Sequence, residues 1–457
     1  MIRKSKLYLI MYFLIILLCL LIHIPIFQNI LLLIASFILN LSIIYKLNIR
    51  SRKYKFVSFF IIVLNIVLIY AKYYNTIAIG FLDGLPYGQI GNNNYSDSYG
   101  YYYQSIALSD LWLNGGVKDW ILGNISKNYI SRGIYNYFIV FNSIIRVLFG
   151  KDLIVWMIIK YQFSIMSIAL LYKISSNFVK EKYSLMCLII FNFYPGYVLV
   201  NGDLLRDNFI VFFALLTVYI TINSINNGKI KWIKIILLLS VITYLRVYIG
   251  IILGFSLFIY LFFDKLNVKK LISYSVIALL MVLIVGKIME FWGYGFLGLK
   301  LLQSGDIGQI QWNTESVNSP VKLCIRTLYF AFTGGRTSIS HIYYIQEWYN
   351  SYAPVFIAVF SFPTILSIFF IKIFDKKRKK FIIFTFVYSL FSAFMVTYGF
   401  SSIIPRLYIC WFWSQCIVLA MLMNSMSKLK GTQRQLLNIE YMCYIVFILI
   451  GFIRWNL

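Results

Sequence analysis

Two short stretches hold the residue types and spacing that chemistry needs. The first is 92–116, NNNYSDSYGYYYQSIALSDLWLNGG, where Asp97 stands just ahead of Tyr101 and Tyr102. A carboxylate held over a substrate there could take a proton from a hydroxyl, which is general-base work. The bland alternative is an aspartate capping the helix that begins near Tyr99. The second stretch is GDLLRDN at 202–208. Asp203 and Asp207 at i, i+4 are expected to share one helix face and could hold a divalent cation through oxygen ligands. Arg206 beside them could pair with a phosphate bidentately. The competing reading has Asp207 favouring the positive end of the next helix while Arg206 balances local charge.

Three more arginines stand at the edges of apolar runs: Arg246 in ITYLRVYIG, Arg336 in FTGGRTS and Arg406 in GFSSIIPRLYICWFW. A charge in such a place is costly and marks a functional site or a buried pair, although each could snorkel to an interface. With Arg206 they meet one demand, holding a phosphate or pyrophosphate, which a planar guanidinium suits better than an ammonium. His341, near Tyr343, Tyr344 and Glu347, could serve as acid or base or simply be an exposed loop histidine. His23 ends the first apolar run and reads as structural.

What must position these groups follows from composition. The chain has 457 residues, 61% hydrophobic and 12% charged, about half the charge of a typical soluble protein. Apolar runs of spanning length recur along it, LYLIMYFLIILLCLLIHIPIF among them. About 20 such residues cross a bilayer as a helix, and the alternation of a membrane barrel is absent from these runs. The formal charge of +27 sits in short linkers such as YKLNIRSRKYK and KIFDKKRKK. That is the positive-inside pattern, and it argues against nucleic-acid binding, for which a basic patch on a soluble domain is expected. Five of the six cysteines lie in apolar runs without metal-ligand spacing.

The expected fold is all-α, one integral membrane domain over 1–457, with about 11–14 helices. With the N-terminus cytoplasmic and the first run retained, spans fall near 7–23, 29–46, 56–72, 153–172, 184–201, 208–223, 233–247, 249–263, 271–288, 353–371, 381–399, 407–426 and 440–456. Residues 136–150 are expected not to cross, with Arg146 at an interface. Two long outer loops result, 73–135 with juxtamembrane helices and 289–352. Most of the fifteen acidic residues then fall on the outer side, although acidic residues contribute little to orientation. Asp110 and Asp119 read as surface residues.

An acidic residue followed by Tyr-Tyr, a small residue, Leu and Gly in the first outer loop resembles the GT-C class of integral membrane glycosyltransferases. The likeness continues through ISRGIYNYFIVFNSIIRVLFGKDL and FNFYPGYVLVNGDLLRDNFIVFF, covering about 90–265. In that class a proline opens an outer turn and charged residues precede the next helix; Pro195, Asp203, Arg206 and Asp207 stand in those places. This chain departs in having two extra helices before the acidic loop, and Asp97-Ser98 where the class has Asp-Glu. The resemblance implies a polyprenyl-phosphate-linked sugar donor and a catalytic role for Asp97.

The expected function is transfer of a sugar or oligosaccharide from an undecaprenyl-linked donor at the outer face of a bacterial inner membrane. The setting would be surface-polysaccharide assembly (O-antigen or capsule), with other membrane proteins of that assembly as partners. A repeat-unit polymerase, which the chain resembles in length, helix number and arginine-rich outer edge, is the neighbouring alternative. A flippase of lipid-linked oligosaccharide is the non-enzymatic one, against which stands the lack of an internal repeat. No cofactor is required by any motif, and a divalent cation at Asp203 and Asp207 is the one candidate.

Overall fold

The computed structural model describes residues 2–22, 24–79, 97–124, 136–263, 359–400 and 405–426, with Met442. Every regular element among them is helical. Their order is α1 (Ile2–Leu21), α2 (Pro25–Lys46), α3 (Arg52–Ile79), α4 (Asp97–Leu113), α5 (Val117–Leu122), α6 (Tyr137–Phe149), α7 (Leu153–Ser175), α8 (Glu181–Asn192), α9 (Pro195–Gly202), α10 (Asp207–Asn226), α11 (Trp232–Leu245) and α12 (Val247–Phe262). Then come α13 (Val359–Phe369), α14 (Lys376–Phe400) and α15 (Pro405–Met426). Among the described residues seven helices are long and apolar enough to cross a membrane, or eight if the bent pair α8–α9 is one span. The chain is a multi-pass, all-helical membrane protein.

Burial separates the centre from the rim. The spanning window of α15 is 94% buried and that of α7 is 78% buried, whereas α1 buries 11% of its window. α1 therefore gives most of its surface to lipid, and α7 and α15 form the interior, as expected of helices apolar on every side. Polar side chains inside are mostly small hydroxyls returned to their own helix: Ser167 to the Phe163 carbonyl, Thr217 to Phe213 and Ser256 to Ile252.

Several expected boundaries change. The third helix runs on to Ile79 instead of stopping near 72, so the first outer loop expected from 73 begins as helix. The single span expected at 184–201 is two helices bent by 58°, because Pro195 at the start of α9 has no N–H to continue the ladder. The pair at 233–263 is 14 and 16 residues long and is joined at Arg246, whose backbone is extended. That turn is tight: a Cβ on Gly250 would stand 2.5 Å from the Thr243 backbone nitrogen. Of the expected 353–371 span, Val359–Phe369 is α-helix, and 353–358 lie outside the described residues. The spans expected at 271–288 and, Met442 aside, 440–456, and the loop 289–352, lie outside the described residues.

Residues 137–149 form a short apolar helix that carries Arg146 in its last turn. Arg146 is 4% exposed, buried between α6 and α4. Its guanidinium donates to the Ile106 carbonyl at 2.7 Å, to Ser109 Oγ and to Asp110 at 2.6 Å. The small side chains of Ser105 and Ser109 let α6 come close, so that Ser143 Oγ donates to the Ser105 carbonyl at 3.0 Å. Small residues permit this approach between helices in a bilayer. α4 is thus a docked helix with a serine face.

Helix continuity defines two ends of the bundle. α10, about 30 Å long at 1.5 Å per residue, starts at Asp207 and ends near the basic segment 229–234. At that basic end Ser51 bonds Glu181, and Arg378 donates to the Phe178 carbonyl at 2.8 Å. The lysines and arginines of 46–55, 173–182 and 372–380 gather there. The start of α10 lies at the opposite end.

Candidate active site

The end opposite the basic linkers is where chain breaks and charges coincide. Asp97 occupies the first turn of α4. Arg406, second residue of α15, donates from Nη2 to Asp97 Oδ2 at 2.5 Å, across 309 residues of sequence. Both side chains keep partial access, 21% for Arg406 and 32% for Asp97. One turn along α4, Tyr101 is buried edge-on against Phe138, with ring centroids 5.0 Å apart. The Arg206 guanidinium carbon lies 5.9 Å from the centre of the Tyr101 ring, within the range at which a cation is drawn to an aromatic face.

Arg206 is the N-cap residue of α10, and Asp207 stands in that helix's first turn. Arg246, at the break between α11 and α12, pairs with Asp207 at 3.2 Å, the two side chains 11% and 2% exposed. Arg246 also lies 5.8 Å from the Tyr248 ring centre and donates to its hydroxyl at 3.4 Å. Tyr101 on α4 and Cys410 on α15 are both close enough to feel the charge of Arg246. Cys410 is one turn beyond Arg406, which closes the circuit. Asp97, Tyr101, Arg206, Asp207, Arg246 and Arg406 therefore meet at one end of the bundle from α4, α10, the α11–α12 break and α15. Neither Arg206 nor Arg246 caps its helix with its side chain, and the positive ends of α10 and α12 add to the arginines.

The other sequence candidates fall elsewhere. Asp203 and Asp207 do not share a helix face: Asp203 is the extended residue that ends α9 and Asp207 begins α10, since the helix is broken between them. Asp203 pairs instead with Lys72 at 3.1 Å. Among the described residues no group of three or more His, Cys, Asp or Glu is placed to hold a metal ion. Tyr102 points away from Tyr101, against Trp156 at 5.2 Å between ring centres. Burial, then Tyr103 and Asp152, push its phenol above the ordinary value against the pull of Arg146, so it stays protonated near neutral pH and is no base. Asp110 is held by Arg146 with its side chain 45% exposed, and Asp119 is exposed on α5. Arg336, His341 and His23 lie outside the described residues.

Two lysines were passed over in the sequence. Lys72 in LIYAKYY and Lys160 in WMIIKYQF are each buried in an apolar helix. The rule that singled out Arg246, a charge interrupting an apolar run, would have found both. They attach to the end of α9, where an amide network also meets: Asn201 donates to Asn65 at 3.1 Å and Asn208 donates to Asn201 at 3.0 Å.

Residues 136–289, a third of the chain, match the family model described as dolichyl-phosphate-mannose-protein mannosyltransferase. That model is of a GT-C-type glycosyltransferase domain. The chain is similar to GT-C-class membrane glycosyltransferases. The match includes Lys160, Asp203, Arg206, Asp207 and Arg246, leaves Asp97 and Arg406 outside it, and indicates glycosyltransferase activity. No curated protein and no solved structure matches the chain.

Proposed function

We propose that the chain transfers a sugar or oligosaccharide from an undecaprenyl-(pyro)phosphate donor at the outer face of a bacterial cytoplasmic membrane, in assembly of a surface polysaccharide. The observation that carries this reading is the meeting of Asp97 with Arg406, Arg206 and Arg246 at one end of the bundle. Lysines and arginines gather at the opposite end. The positive-inside rule then turns the site away from the cytosol, where no nucleotide sugar is at hand.

In the transfer step the acceptor oxygen forms a bond to the anomeric carbon while its proton passes to the Asp97 carboxylate. The bond from that carbon to the phosphate oxygen breaks, and its electron pair leaves with the phosphate. Arg206, Arg246 and the positive helix starts face the charge as it develops, which is the largest single aid available to such a reaction. Arg406 links the two halves. In the resting site it holds Asp97; an arriving phosphate competes for the same guanidinium and leaves the carboxylate free to accept a proton.

The test is purified protein in nanodiscs with the polyprenyl-linked donors of its own membrane. Asp97→Asn keeps the side-chain volume and removes the base, so transfer should fall by about 10²–10⁴-fold in protein that still folds. Unchanged transfer would remove Asp97 from the mechanism. In cells, single repeat units left on the lipid carrier after loss of the gene would assign polymerisation, and incomplete units would assign addition of one sugar.

A further inference from the structure

We infer that Lys160 is a positioning residue: its buried ammonium ties the end of α9 to α7 and thereby sets where Arg206 and Asp207 stand. The inference rests on the reading of Arg206 as a phosphate contact. Lys160 lies seven residues into α7, about 10 Å along the helix, and is fully buried. An ammonium there needs acceptors for three protons. Its Nζ donates to the Val200 carbonyl at 2.7 Å and to the Asp203 carbonyl. Val200 belongs to the last turn of α9, whose carbonyls have no helical partner, and a cation at a helix's C-terminal end also opposes its negative pole.

From the other side Lys72 on α3 holds the Asp203 carboxylate. The backbone comes so close to α3 that a Cβ on Gly202 would stand 3.1 Å from Lys72 Cβ. The end of α9 is thus fixed from two helices at once. Only Leu204 and Leu205, both buried, separate it from Arg206. With so short a link, the anchored carbonyls decide which way the Arg206 guanidinium is presented and where Asp207 meets Arg246. A hydrophobic residue at 160 would avoid burying a charge, yet it would leave the Val200 carbonyl without its donor and the Asp203 carbonyl with only the Leu205 N–H.

The experiment compares Lys160→Met with the wild type and with Arg206→Ala in nanodiscs, on the folded, monodisperse fraction. Amide hydrogen exchange reads the order of residues 200–210, and affinity for undecaprenyl phosphate reads the site. Lys160→Met should speed exchange in that segment and weaken undecaprenyl phosphate binding by about tenfold, a loss equal to one displaced charge-assisted hydrogen bond. In transfer assays donor KM should rise and kcat should fall as well, since Arg206 also faces the developing charge. Arg206→Ala should lose affinity with exchange at the end of α9 unchanged. Exchange as slow as in the wild type, or faster exchange with affinity unchanged, would overturn the inference. If Lys160→Met does not fold, Lys160→Gln keeps two N–H donors without the charge; it should fall between the two, and wild-type behaviour would overturn the role of the ammonium. A wild-type protein that does not bind undecaprenyl phosphate sinks the donor reading instead, and the exchange result still decides whether Lys160 orders the turn.

Discussion

The Asp207–Arg246 pair allows structure and chemistry to be separated. Its side chains are 2% and 11% exposed and meet at 3.2 Å, so neither charge has water to fall back on. Removing one partner of such a pair costs about 3–5 kcal/mol, mostly the price of leaving the other charge buried alone. Replacing both by apolar side chains of similar volume is close to neutral. Arg246→Met should therefore be strongly destabilised, Asp207→Leu likewise, and the double variant should return to near wild-type stability. Activity should not follow stability. If Arg246 faces the leaving phosphate, both Arg246→Met and the double variant lose about 10²–10³-fold in transfer, the usual loss for one donor to a developing oxyanion. Thermal inactivation in detergent and transfer per folded molecule are the two measurements. A double variant that recovers transfer together with stability would show that Arg246 only balances Asp207, and a single variant as stable as the wild type would show that the pair is not buried.

Three further outcomes follow from the same geometry. Tyr101→Leu removes the ring face beside Arg206, a contact worth about 0.5–1 kcal/mol, so donor affinity measured by titration should drop two- to fivefold, with Tyr101→Phe less affected. Gly202→Val presses on Lys72 and should cost about 1–3 kcal/mol of stability, seen as faster thermal inactivation; no change would mean that α3 and α9 can separate freely. Arg146→Met leaves Asp110 and the Ile106 carbonyl without their donor, so proteolysis should cut α4 sooner than in the wild type.

The helical membrane architecture could be read from the chain because spanning length and apolar content are local properties. α7, α10 and α15 fall within a few residues of where their runs of leucine, isoleucine and phenylalanine place them. Breaks were less legible. Spacing of four made Asp203 and Asp207 look like neighbours on a face, but that spacing has meaning only if the helix is continuous, and the chain turns between them. Arg246 was visible because a charge at that depth needs a reason. Its partner was not, since ion pairing depends on which helices pack together. The same holds for Arg406 and Asp97, whose pairing joins distant parts of the chain. The partners of Arg146 were not legible either, because the serines of α4 make room for it only where α4 and α6 pack.

The placement of the charges is itself constrained by the solvent. A charge inside a span needs a partner, as Lys160 finds in backbone carbonyls, and the three arginines of the site stand where the helices break or begin. Arg206 caps α10, Arg246 sits at the α11–α12 break, and Arg406 opens α15. Each also stands at the start of a helix, whose positive end adds potential without adding side chains. The proline at 195 and the lysine-held end of α9 interrupt the α8–α9–α10 run, and Arg206 and Asp207 stand at the helix start that follows. The breaks that make the helices poor as ideal spans are therefore what makes a charged site at one end of an apolar bundle affordable, and straightening any of them should cost activity before it costs insertion.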